Sequence, residues 1–172
     1  MRFSALGVTL SAALMSISIS AAISATSPTA AHHAGSPDQA TFLNASDLRW
    51  QNAPPSLPKG MEMTVLHGNP EKPGPFVVRF KTPGDYKIPP HFHSKAETLT
   101  ILSGRLYLGG GEQFDAAKAH TLEVGAFHYL PAKTPHFAFT KAPVVVEVHG
   151  EGPFDIVYIN PEDDPRAARG KE

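Results

Sequence analysis

Short apolar and polar alternations, cut repeatedly by proline and glycine, are what most restricts the fold of this chain. Its 172 residues include 17 Pro and 14 Gly. Proline breaks helices and glycine marks turns, so long helices are excluded. Met61, Met63 and Val65 share one parity, and Phe76, Val78 and Phe80 form a second run bounded by Pro75 and Pro83. Period-two runs of this kind are strands with one buried face. Similar runs occupy Thr98 to Leu102, Arg105 to Leu108, Thr121 to Val124, Phe127 to Leu130, His136 to Thr140, Val144 to His149 and Ile156 to Ile159. Many short strands at regular spacing predict an all-β protein, either a sandwich or a barrel. Glu112 to Ala119 contains good helix formers and no β-branched residue, which predicts a helical turn or two between strands.

The ends of the chain read differently. Residues 1–31 carry a single charged side chain, Arg2, followed by a Ser-diluted apolar run from Phe3 to Ile23 and small residues around Ala25 and Ala31. A basic start, an apolar middle and a small-residue exit predict a cleaved export signal, hence a periplasmic or secreted protein with no stable membrane span after cleavage. Residues 32–60 form a Pro-rich arm, in which Pro54, Pro55 and Pro58 crowd out regular structure. Trp50, the single tryptophan, is expected to pin that arm to the core or to a second subunit. The barrel or sandwich proper spans 61–160, and a charged tail follows over 161–172.

Composition removes several functions. Lys and Arg number 15 against 16 Asp and Glu, for a formal charge of −1; without a basic face, nucleic acid is not a partner. The absence of Cys excludes disulfides, thiolate metal sites and cysteine nucleophiles. Any metal must therefore be held by His and carboxylate.

The segment from Gly84 to Gly104 supplies such ligands. Side chains alternate along a strand, so His91 and His93 share a face and Phe92 takes the other. Glu97 has the same parity, and Leu99 and Ile101 continue it, unless a turn through Ser94 to Ala96 interrupts the alternation. A further ligand must come from another strand, and His136, which opens the next apolar run after Pro135, is the candidate. Three neutral imidazoles and one carboxylate suit one divalent transition metal (Fe, Mn, Ni, Cu, Co or Zn) with positions left open. Without a metal, burying this set on one apolar face would leave polar groups unpaired at a cost of several kcal/mol.

At these residues the chain resembles the cupin superfamily, in its small single-domain form. The first cupin motif is Gly, a five-residue spacer, His-x-His, three or four residues, Glu, six residues, Gly. Gly84, His91, His93, Glu97 and Gly104 follow it with one extra residue before His91. The second motif maps to Gly125, Pro131 and His136, with Lys133 where the motif has Gly and Thr140 where it has Asn. Lys133 would be strained if the turn needs a positive φ. The resemblance implies an antiparallel jelly-roll barrel, a double-stranded β-helix, with the metal inside its mouth. It also implies barrel faces that pair into a homodimer.

The remaining candidates have plainer readings. His67, His120, His128 and His149 are expected to be ordinary buried or surface residues, and Arg79 an exposed rim charge. Tyr86, Phe92, Tyr107, Phe137 and Phe139 read as core packing, and Gly109 to Gly111 as a loop. Two functions follow. The first is an exported metalloenzyme acting on a small molecule, with dioxygenase, isomerase or decarboxylase chemistry implied by the resemblance and Glu97 as ligand or base. The second is a non-catalytic periplasmic module that binds a metal or ligand, or senses one.

Overall fold

The computed structural model describes residues 40–167. The export signal read in 1–31, the stretch 32–39 and the end of the charged tail lie outside the described residues.

Eleven strands follow one another: β1 (Gln51–Asn52), β2 (Glu62–His67), β3 (Gly74–Thr82), β4 (Lys87–Phe92), β5 (Glu97–Ser103), β6 (Leu106–Gly110), β7 (His120–Leu122), β8 (Phe127–Leu130), β9 (His136–Phe139), β10 (Val144–Gly152) and β11 (Val157–Tyr158). They form a six-stranded sheet ordered β1-β2-β3-β10-β5-β8 and a five-stranded sheet ordered β11-β4-β9-β6-β7. Every ladder is antiparallel. This is the jelly-roll arrangement that the family resemblance implies, where alternation alone predicts a sandwich or a barrel. The Glu112 to Ala119 segment forms only a 3-10 turn, Ala116–Lys118, with Asp115 accepting a hydrogen bond from the Ala117 amide. A turn that short has no apolar face to bury, so propensity alone extends it no further.

Alternation decides the core. Met63, Phe76, Val78, Leu99, Ile101, Leu106, Ala138, Val144, Val146 and Val148 pack as one buried cluster. In β10, Val144, Val146 and Val148 point inward while Glu147 and His149 take the other face. Arg79 lies opposite Glu147 in the β3–β10 ladder and pairs with its carboxylate at 2.7 Å on the outside of the sheet. Gly109 allows β6 to lie against the fully buried Phe137 ring, because a Cβ there would overlap the ring edge. Gly104, the last residue of the first motif, has φ 77°, and a Cβ would collide with the Pro143 carbonyl; only glycine occupies that turn without strain.

The arm is part of the sheet edge. Gln51 and Asn52 pair with Met63 and Glu62, and Lys81 Nζ sits 4.7 Å above the Trp50 ring. Two buried tyrosines hold the next residues: Tyr86 donates its hydroxyl to the Pro58 carbonyl, and Tyr158 donates to the Ser56 carbonyl at 2.8 Å. Among the described residues no helix is long and apolar enough to cross a membrane.

Candidate metal centre

Two consecutive prolines aim the first ligand. Pro89 and Pro90 have no amide hydrogen to give the β4–β9 ladder, and the register shifts between Ile88 and His91. A bulge re-aims the side chain that follows it. Pairing resumes with His91 directly opposite His136, and their ring centroids are 4.2 Å apart. His93 lies just beyond the strand end, 5.0 Å from His91 and 5.3 Å from His136 between centroids. The three imidazoles are buried, and each offers one nitrogen within 4.8 Å of the others.

Each ring is oriented by the backbone. Nδ1 of His91 donates to the Pro89 carbonyl at 2.7 Å, Nδ1 of His93 to the Asp155 carbonyl, and Nδ1 of His136 to the Thr134 carbonyl at 3.0 Å. A carbonyl can only accept, so the proton of each neutral ring is on Nδ1 and the lone pair is on Nε2. Asp155 clasps the His93 segment twice, its side chain also accepting from the Ser94 amide at 2.7 Å. The Phe154 ring stacks on His93 with centroids 4.4 Å apart.

Glu97 opens β5 beside this group. Its Oε1 lies 3.8 Å from His93 Nε2, and its Oε2 lies 3.6 Å from His136 Nε2. The predicted ligand set is therefore a tight trio of imidazoles with the carboxylate against two of them. His128 makes a fifth member. It faces inward from β8 opposite Leu99 and bonds Glu97 Oε2 through Nε2 at 3.2 Å. The plain reading of His128 missed this contact. Its signal was present: Phe127 and Tyr129 are exposed while His128 between them is buried, an inversion of the usual pattern for a half-buried strand. His149, by contrast, is half exposed and bonds Glu147 on the outer face.

Charge is arranged to suit a cation. Burial, reinforced by His136 and His93, pushes His91 down to about 3 from its ordinary 6.5, and burial also lowers His136. Burial works against ionisation of Glu97, but the His128 hydrogen bond and the nearby imidazoles outweigh it and hold the carboxyl at about 2. The Nε2 atoms of three imidazoles, each ring held through Nδ1 by a backbone carbonyl, and one carboxylate oxygen make up the donor set a divalent transition metal takes. The His128 Nδ1 is buried with no partner among the described residues.

The two departures from the second motif have local explanations. Lys133 adopts φ 62°, the left-handed conformation where the motif has Gly, and its amide donates to the His93 carbonyl at 2.7 Å. Thr140, where the motif has Asn, is buried; its hydroxyl donates to the Pro83 carbonyl at 3.0 Å and accepts from the Tyr86 amide at 3.3 Å. It thereby joins the end of β9 to the start of β4, the two strands that carry His136 and His91.

The centre opens into a cavity of about 730 Å³ inside the barrel. Residues 51–57 of the arm line its mouth together with Asn69 and Pro70.

Comparison with known proteins agrees with this fold. The family model described as Cupin domain matches residues 79–151. The fold is similar to that of a candidate acetylacetone dioxygenase from Methylibium petroleiphilum PM1, with 19% identity and a TM-score of 0.58 over 80% of this chain and 96% of that one. It is also similar to the polyketide cyclase RemF from Streptomyces resistomycificus, with 17% identity and a TM-score of 0.59 over 77% and 94% of the two chains. No curated protein sequence matches. At these identities the likeness to the solved structures is one of fold.

Proposed function

We propose, from the premise that this chain belongs to the cupin superfamily, that it is an exported metalloenzyme acting on a small molecule. His91, His93 and His136 would hold one divalent transition metal through Nε2, with Glu97 as the carboxylate ligand. The observation that carries this reading is the set of three Nδ1 hydrogen bonds to backbone carbonyls, which turns three buried lone pairs toward one point. Such bonds orient a ligating histidine and raise its basicity. When bound, the metal supplies Lewis-acid or redox capacity.

The chain's own residues do the rest. Asp155 and Phe154 keep His93 in place, His128 holds Glu97, and the apolar barrel wall excludes water from the reacting atoms. The reaction is of dioxygenase, isomerase or decarboxylase type; the candidate dioxygenase with a similar fold makes oxygen consumption the first activity to assay. Arg2 and the apolar stretch behind it support export, which mass measurement of the protein from separated cell fractions tests.

Elemental analysis of purified protein, beside His91→Ala and His136→Ala, tests the centre. The expected result is near-stoichiometric Fe, Mn, Ni, Cu, Co or Zn in the native protein and its loss in both variants. No bound metal and no uptake on adding divalent ions would overturn the proposal. A loaded protein that binds a ligand tightly and never turns it over would leave a non-catalytic binding cupin.

A further inference from the structure

The wall of the cavity restricts what can enter it. Away from the imidazoles the interior is built mainly from apolar side chains, among them Met63, Val65, Val78, Phe80, Leu99 and Val146, and its other polar side chains, such as Thr82 and Asn69, are uncharged apart from one arginine and three acids. Of the lysines and arginines among the described residues, only Arg166 lines the cavity. Its guanidinium is already held by the Asp164 carboxylate, at 2.6 and 2.8 Å. The other charged side chains on the lining are the acids Glu71, Glu97 and Asp155. A substrate carrying a carboxylate or phosphate on its body would meet no free cation there and would lose its hydration against hydrocarbon, which is prohibitively costly.

The opposite holds at the centre. A divalent ion beside one carboxylate leaves one positive charge, which a single negative charge on the ligand neutralises. We infer that the ligand of this site has an oxygen-chelating head carrying at most one negative charge, and an uncharged, apolar body that lies along the barrel interior. Singly ionised keto-enols and phenol-ketones with alkyl or aryl bodies belong to this class; sugar acids, dicarboxylates and phosphate esters do not. A volume of about 730 Å³ accommodates a body of one or two rings. The charge on the head rests on the metal reading above, whereas the character of the body rests on the cavity wall alone.

Three probes with the same head separate these points: tropolone, its 4-isopropyl derivative and its 4-carboxylate. Their binding to the full protein loaded with Co(II) is followed by the visible absorption of the metal, each affinity being referred to the same probe's affinity for free Co(II). Calorimetry measures the same series on metal-free protein. The isopropyl group is expected to tighten binding about tenfold over tropolone, and the carboxylate to weaken it at least as much, with the same ranking in both forms. A 4-carboxylate that binds as tightly as tropolone, or an isopropyl group that brings no gain, overturns the inference. Failure to take up Co(II) would overturn the metal reading instead, and the metal-free ranking would still decide the nature of the body. Metal-free protein that binds none of the probes, together with no ranking in the loaded form, also overturns it.

Discussion

His128 donates from Nε2 to Oε2 of Glu97 across 3.2 Å, and that same oxygen faces Nε2 of His136 at 3.6 Å. An ionised carboxylate only accepts hydrogen bonds, so His128 carries a proton on Nε2, and its buried Nδ1 has no hydrogen-bond partner among the described residues. One strand, β8, thereby determines how a residue on another, β5, meets the centre. Replacing His128 with Ala frees the Glu97 carboxylate to rotate and is expected to lower metal affinity by about 10–100-fold. Gln at the same position keeps a donor and should recover part of that loss. Competition titration against a chelator of known affinity measures both, and unchanged affinity in the Ala variant would show that Glu97 is held by other means.

Acid should loosen the metal-free protein. His91 is pushed down to about 3 from 6.5 and Glu97 to about 2 from 4.5, so below pH 6.5 the unfolded chain binds protons that the folded one refuses. Stability contributed by these groups is complete above pH 6.5 and is lost as the pH falls toward 3. Thermal melts between pH 7 and pH 4 are expected to show a falling Tm, with a shallower slope in His91→Gln. Parallel slopes in the two proteins would contradict the assignment.

Tyr86 and Tyr158 tether the arm that lines the cavity mouth. Tyr86→Phe and Tyr158→Phe each remove one side-chain hydrogen bond to a carbonyl of the arm and are expected to cost about 1 kcal/mol, with faster hydrogen exchange at the amides of 51–57. Burial pushes both hydroxyls well above their ordinary value near 10. The folded state therefore keeps protons that the unfolded chain loses, and this stability disappears as pH rises past 10. Denaturant melts at pH 8 and pH 11 should show a drop in native protein that is reduced in the double variant.

The left-handed Lys133 stores backbone strain in the turn behind His93. Lys133→Gly relieves it while adding freedom to the unfolded chain, for a net gain of a few tenths to about 1 kcal/mol. The amide bond from residue 133 to the His93 carbonyl remains available, so metal affinity should not change. A loss of stability on equilibrium denaturation would show that the lysine side chain, rather than its backbone, is what the turn requires.

Gly109→Ala probes the packing behind the centre. Its Cβ would run into the Phe137 ring, which is wholly buried and cannot step aside. Overpacking of this kind typically costs about 1–3 kcal/mol. Phe137 follows His136, so the variant should also weaken metal binding, and Phe137→Leu introduced with it should restore part of the stability.

Much of this was legible along the chain because it depends on parity. The common side of His91 and His93, the inward valines of β10 and the strand breaks at proline and glycine all follow from local alternation and turn chemistry, whereas Glu97 opens β5 in the other sheet, beyond a turn that parity does not cross. His136 was legible as the histidine that opens the apolar run after Pro135, and its place in the second motif agrees. Parity says which side chains share a face of one strand, but it does not say which strand lies opposite. Only the antiparallel pairing of β4 with β9 sets His91 against His136. Only the pairing of β5 with β8 turns His128 into the partner of Glu97. The Asp155 clasp on His93 and the closing of the mouth by the arm join residues 62 and 102 positions apart in sequence. Such contacts are decided by the packing of two sheets on a common core, a nonlocal balance that alternation within any single strand does not encode.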